Sequence, residues 1–66
     1  VLVTVTYEIE VAEVAAFARA MRALGEIRLR DGALRWAIWA DTERPGHYLE
    51  SFVVESWLEH SVNTSA

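Results

Sequence analysis

The sequence predicts a small α+β domain whose elements follow the order β-α-β-β-α. Residues 1–10 alternate apolar and polar side chains, residues 11–29 space apolar side chains as on a helix, and two more strand-like stretches follow at 33–40 and 48–56. The chain has 66 residues and no cysteine, so it is one small domain without disulfides. A partner surface is therefore the leading candidate for additional stabilisation.

The first strand and the first helix have the clearest patterns. Residues 1–10, VLVTVTYEIE, are rich in β-branched side chains and predict a strand. A helix over residues 11–29 places its apolar side chains on one stripe, with the stem of Arg28 at its edge. The stripe consists of Val14, Phe17, Ala18, Met21, Leu24 and Arg28. Gly25 weakens the helix by about 1 kcal/mol relative to alanine. We expect the helix to continue to about Leu29, because the apolar residues after Gly25 would otherwise lie in a loop.

The next two strands form a predicted hairpin. Residues 33–40, ALRWAIWA, place Trp36 and Trp39 on opposite faces, and both faces are largely apolar. The polar loop 41–47 contains the Pro45-Gly46 turn and leads into the third strand at 48–56.

A second helix is predicted from Trp57. Ser56-Trp57-Leu58-Glu59 fits a capping box, in which the serine and glutamate side chains satisfy backbone amides at the start of a helix. The last residues, SVNTSA, have no apolar periodicity, so we expect a frayed tail over 61–66 after a domain over 1–60.

The predicted sheet needs a further surface. A ferredoxin-like fold continues to a fourth strand that pairs with the first, and here that strand is missing or supplied by a partner. The first strand would then be a long edge with unpaired amides. The helices cover one face of the sheet, while both faces carry apolar groups. We therefore expect a homodimer that forms through the open sheet face.

Composition and spacing exclude several classes of function. Ten acidic against six basic side chains give a net charge of -4, which argues against nucleic-acid binding. No apolar run approaches the roughly 18 residues of a membrane span, and no signal peptide is visible, so we expect a cytoplasmic domain. His47, Glu50 and Glu55 do not suit a metal, because Glu50 and Glu55 would lie on opposite faces of one strand. We expect no metal, no cofactor and no catalytic residue.

A small aromatic ligand is the alternative to simple packing for the aromatic side chains. Trp36, Trp39 and Trp57 can line a pocket for a flat molecule, since small-molecule sites are mostly apolar. Arg35 can hold an anion, and His60 has the unperturbed pKa of about 6.5 that suits a general base. Packing in the core and at a dimer interface explains the same aromatic residues, and we favour it.

Three segments carry a family resemblance. VLVTVTYEI, AAFARAMRALGEIRLRDGALRW and YLESFVVESWLEH resemble the C-terminal soluble domain of bacterial transmembrane secretion effectors, which are major-facilitator exporters related to the enterobactin exporter family. The most specific pieces are Arg28-Leu29-Arg30-Asp31-Gly32-Ala33 with Trp36, and Glu55-Ser56-Trp57 with His60. That domain is similar to the antibiotic biosynthesis monooxygenase superfamily, the dimeric α+β barrels.

The resemblance implies a ferredoxin-like half of a dimeric α+β barrel, in which two sheets pair face to face. It also implies a possible tether to a membrane exporter in a longer protein, with the domain at the inner face of the membrane. The expected function is a non-catalytic role in assembly or regulation. The alternatives are a cofactor-independent monooxygenase that acts on an aromatic phenol, and a ligand-sensing domain.

Overall fold

The structure is a computed structural model that describes residues 1–55. Strand β1 spans Leu2–Glu8, a short 3-10 turn spans Val11–Glu13, and helix α1 spans Val14–Arg30. Strands β2 and β3 span Arg35–Ala40 and His47–Val53. The chain therefore forms a small α+β domain, as predicted. The second helix and the tail predicted for residues 56–66 lie outside the described residues.

Helix α1 continues through Gly25, as expected from the apolar residues that follow it. Arg28 and Arg30 lie in its last turn, where positive charge suits the C-terminal end of the helix dipole. The helix ends at Arg30, and the amide of its C-cap residue, Asp31, still donates to the carbonyl of Ile27 at 2.9 Å. The predicted stripe is wrong at one position, because Ala18 is exposed while Gly25 is buried. The buried strip therefore runs toward the C-terminal half of the helix.

The three strands form one antiparallel sheet in the order β1-β3-β2. The predicted hairpin of β2 and β3 is confirmed, and β1 pairs with the other side of β3. At the centre of the sheet, Glu50 of β3 lies between Val5 of β1 and Ile38 of β2. β1 thus forms one edge of the sheet within residues 1–55. Each strand is two or three residues shorter than the stretch predicted from the sequence, and β3 begins one residue earlier than predicted, at His47.

The two faces of the sheet have different surroundings. Helix α1 packs on one face, where the buried Phe52 and Val54 join Ala33 in a small core that Val3 and Trp36 extend. The opposite face, called here the open face, has no helix or strand of residues 1–55 packed on it. By register it comprises Leu2, Thr4, Thr6, Glu8, Arg35, Ala37, Trp39, His47, Leu49, Ser51 and Val53.

No helix within residues 1–55 combines the length and the apolar character needed to cross a membrane.

Candidate functional site

A fully buried carboxylate lies at the centre of the sheet. Glu50 has an exposed fraction of 0%, although glutamate is rarely buried unless it is paired. Its side chain points toward α1, because the alternation along β3 places it on the same face as Phe52. The sequence pattern did not predict this burial, because it indicated Glu50 only as a metal ligand whose spacing to Glu55 does not fit.

Three side chains donate hydrogen bonds to Glu50, and each comes from a different element. The Tyr7 hydroxyl of β1 donates to Oε1 at 2.8 Å, and the Trp36 Nε1 of β2 donates to Oε2 at 2.9 Å. Arg28 of α1 binds both oxygens, with Nε 3.0 Å from Oε2 and Nη2 3.3 Å from Oε1. We call Tyr7, Arg28, Trp36 and Glu50 the carboxylate cluster. It ties all three strands to the helix.

The charges of the cluster are fixed at neutral pH. Burial by itself would raise the pKa of Glu50, but the hydrogen bonds from Arg28, Trp36 and Tyr7 outweigh it and hold that pKa below its usual value. The hydrogen bond to Glu50 raises the pKa of Arg28. Burial, and then the contact with Glu50, raise the pKa of Tyr7. The cluster therefore holds a carboxylate, a guanidinium and a neutral phenol, and none of these is poised to exchange a proton near neutral pH.

The lowered pKa of Glu50 predicts acid sensitivity. As the pH falls, the unfolded chain takes up the Glu50 proton before the folded chain does, so the free energy of unfolding decreases. The loss should begin near pH 4.3, the ordinary pKa of glutamate, with a slope of at most about 1.4 kcal/mol per pH unit from this group. Urea unfolding between pH 3 and pH 7 measures this loss in the free energy of unfolding. Glu50→Gln should flatten the curve, and curves of equal steepness for both proteins would contradict this role of Glu50.

Close packing positions the cluster. The guanidinium carbon of Arg28 lies 4.5 Å from the centre of the Phe52 ring, a cation–π contact. A Cβ at Gly25 would lie 2.7 Å from Cε3 of Trp36, so only glycine lets α1 approach the indole this closely. In the sequence, the glycine at position 25, inside a predicted helix, is the feature that indicates this close approach of α1 to the indole.

Grooves lie on both sides of the sheet. One, of about 200 Å³, lies beside α1 and is lined by apolar side chains that include Phe17, Met21 and Trp36. Another, of about 360 Å³, crosses the open face near the loop between β2 and β3. We call it the open-face groove. Its lining includes Trp39, Asp41, Arg44, His47 and Leu49.

The residues predicted to line one ligand pocket do not come together in the structure. Trp36 faces α1 and belongs to the carboxylate cluster. Trp39 lines the open-face groove, and Arg35 lies on the same face but at the far end of β2. Trp36 and Arg35 therefore point to opposite sides of the sheet. Trp57 and His60 lie outside the described residues.

No group of three or more histidine, aspartate or glutamate side chains within residues 1–55 is arranged to hold a metal ion.

The family model of transmembrane secretion effectors matches residues 1–65. The chain belongs to the transmembrane secretion effector family. No curated protein and no solved structure matches it. The exporter-related part of the resemblance is thus confirmed for this secretion-effector domain. Its similarity to the antibiotic biosynthesis monooxygenases stays a prediction.

Proposed function

We propose that this secretion-effector domain is a non-catalytic assembly module that pairs with a second copy of itself through the open face. The observation that carries the proposal is Trp39, which is 58% exposed near the end of the edge strand β2. Leu49 lies opposite Trp39 on β3, and Leu2 and Val53 add apolar side chains at the other end of the open face. Large exposed apolar surface on a small soluble domain marks an interaction site.

The charges on this face favour a second copy as the occupant. Arg35 lies at the start of β2, and Glu8 lies at the end of β1. Because β1 and β2 both run antiparallel to β3, these two residues occupy diagonal corners of the open face. A two-fold axis that lies in the interface and runs oblique to the strands, so that the strands of the two sheets cross, places Arg35 of each copy over Glu8 of the other. Such a pairing covers the apolar side chains of the open face and forms two matched ion pairs.

The other face supports a non-catalytic role. Its reactive polar groups, Tyr7, Arg28, Trp36 and Glu50, already bond to one another. Within residues 1–55 no buried side-chain nitrogen or oxygen is left without a hydrogen-bond partner. The groove beside α1 therefore offers a substrate apolar contacts but no free buried acid or base among these residues.

Light scattering over a dilution series tests the pairing. We expect a dimer for the unchanged chain and a dissociation constant at least tenfold higher for Trp39→Ser, since tryptophans are enriched among the residues that dominate interfaces. Ile27→Ser is the matched control, because Ile27 is an exposed apolar residue on α1, 41% accessible, away from the open face. A chain that stays monomeric at every concentration would overturn the proposal, as would equal weakening by both variants.

A charge swap tests the crossed arrangement. Arg35→Glu should weaken the dimer by placing two carboxylates together, and adding Glu8→Arg should restore it, because the pairs re-form with opposite sign. Failure of the double variant to recover would exclude the diagonal pairing.

Oxygen uptake with an anthrone-type phenol tests the catalytic alternative. Uptake above the blank that the substitution Trp36→Phe abolishes would overturn the non-catalytic role.

A further inference from the structure

We infer that the open-face groove is a binding site for a small planar aromatic carboxylate, held by Arg44 at the acid and by Trp39 at the ring. This site shares the lining residue Tyr7 with the carboxylate cluster, but Trp39 and Leu49 lie on the opposite side of the sheet from Glu50. It also goes beyond the proposed assembly role, because a monomer carries every residue that the site requires.

Asp41 holds Arg44 by one nitrogen, while the Arg44 side chain stays 69% exposed to solvent. Asp41 Oδ2 accepts from Nε of Arg44 at 3.1 Å, while Oδ1 accepts from the amides of Glu43 at 2.9 Å and Arg44 at 3.3 Å. The bond from the Glu43 amide, followed by the Arg44 side chain, lowers the pKa of Asp41, so Asp41 stays a carboxylate. The two terminal nitrogens of Arg44 have no hydrogen-bond partner among residues 1–55. They form a fork that matches a carboxylate.

The ring platform is restrained as well. Nε1 of Trp39 donates to Oγ of Ser51 at 3.0 Å, which restrains the indole against the sheet although more than half of it is exposed. Leu49, opposite Trp39 on β3, gives the groove an apolar floor. A flat apolar surface of this kind favours an aromatic ring, since aromatic pairs gain stabilisation beyond their buried area.

The volume of the open-face groove and the charges beside it limit the class of ligand that it can bind. A volume of about 360 Å³ is at the small end of ligand sites, which suits one or two fused rings. Arg44 is always charged, and within Arg44 only Nε and the backbone amide donate to Asp41, so its two terminal nitrogens remain available to an anion. Arg44 is therefore the group that we assign to the ligand carboxylate.

Titration followed by NMR tests the site, with 2-naphthoate as the probe and 2-naphthylmethanol as its neutral counterpart. We expect the acid to bind about tenfold more tightly, because a charge-assisted bidentate contact replaces a neutral one. The indole N–H resonance of Trp39 should shift, while that of Trp36, which faces α1, should not. Equal affinity for the acid and the alcohol would overturn the inference, and so would a shift confined to Trp36.

Amino-acid substitutions test which side chains contact the ligand. Arg44→Gln should abolish the preference for the acid, and Trp39→Leu should weaken both compounds about tenfold. Arg19→Gln is the matched control, since Arg19 is an exposed arginine on α1, and it should leave both affinities unchanged. A preference that survives Arg44→Gln but disappears in Arg35→Gln would overturn the assignment. Because the proposed dimer covers Trp39, the titrations are run at concentrations where light scattering shows a monomer. A monomer that binds naphthoate supports this site, and a monomer that does not bind it overturns this site while leaving the assembly role untouched.

Discussion

Glu50→Gln is expected to lower the free energy of unfolding by about 3 kcal/mol, the lower end of the range for breaking a buried ion pair. The substitution keeps the size of the side chain but removes its charge, and it turns an amide donor toward the donors of Arg28 and Trp36. The lower end of the range applies because the Arg28 side chain is 33% exposed and keeps part of its hydration. A loss of this size is a large share of the stability of a domain of 66 residues.

Two further variants calibrate this result in urea or thermal unfolding. Tyr7→Phe removes one hydrogen bond to Glu50 and should reduce the free energy of unfolding by about 1 kcal/mol. Glu26→Gln also replaces a glutamate, but Glu26 is exposed on α1, away from the open face, so we expect a change within about 0.5 kcal/mol. If Glu50→Gln is no more destabilising than Glu26→Gln, the carboxylate cluster does not stabilise the domain.

Gly46→Ala is expected to lower the free energy of unfolding by about 3 kcal/mol, from backbone strain together with a steric clash. Gly46 has a φ of 85°, a conformation that alanine adopts only with strain. An added Cβ would also collide with the carbonyl oxygen of Ile9. Relieving that collision moves the turn away from β1 and breaks the 2.7 Å hydrogen bond from the Ile9 amide to the Gly46 carbonyl.

Gly32→Ala separates the two causes. Gly32 also has a positive φ, 115°, and follows the end of α1, so its replacement introduces backbone strain without the contact to Ile9. We expect it to reduce the free energy of unfolding by about 1–2 kcal/mol. Equal losses for the two variants, measured by chemical denaturation, would mean that the approach of Gly46 to Ile9 adds nothing.

The sequence predicts the elements well where the pattern is local. The alternation in residues 1–10 gives β1, and the apolar residues after Gly25 correctly predict that α1 continues beyond it. The alternation in residues 33–40 also places Trp36 and Trp39 on opposite faces, as the register shows. These predictions succeed because each depends on neighbours within one or two turns or strand repeats.

The carboxylate cluster could not be predicted in the same way. A single glutamate in a strand normally indicates a solvent-facing position, and nothing adjacent to Glu50 in the sequence marks it as buried. Its partners Tyr7, Arg28 and Trp36 are brought together only by the tertiary fold. Two hints were present: Arg28 lies at the edge of the apolar stripe, and Gly25 interrupts a helix that otherwise favours alanine. Both signal a close approach, but neither identifies the partner.

The carboxylate cluster also has a consequence for the order of folding. Glu50 lies 43 residues from Tyr7, 22 from Arg28 and 14 from Trp36 along the chain, so every hydrogen bond in the cluster closes a long loop. Each of β1, α1 and β2 carries a hydrogen-bond donor, and all three donors bind the same acceptor on β3. Long-range contacts of this kind slow the search for the native state. They also couple helix docking and strand pairing into a single cooperative step, so β3 is the element whose arrival completes the fold.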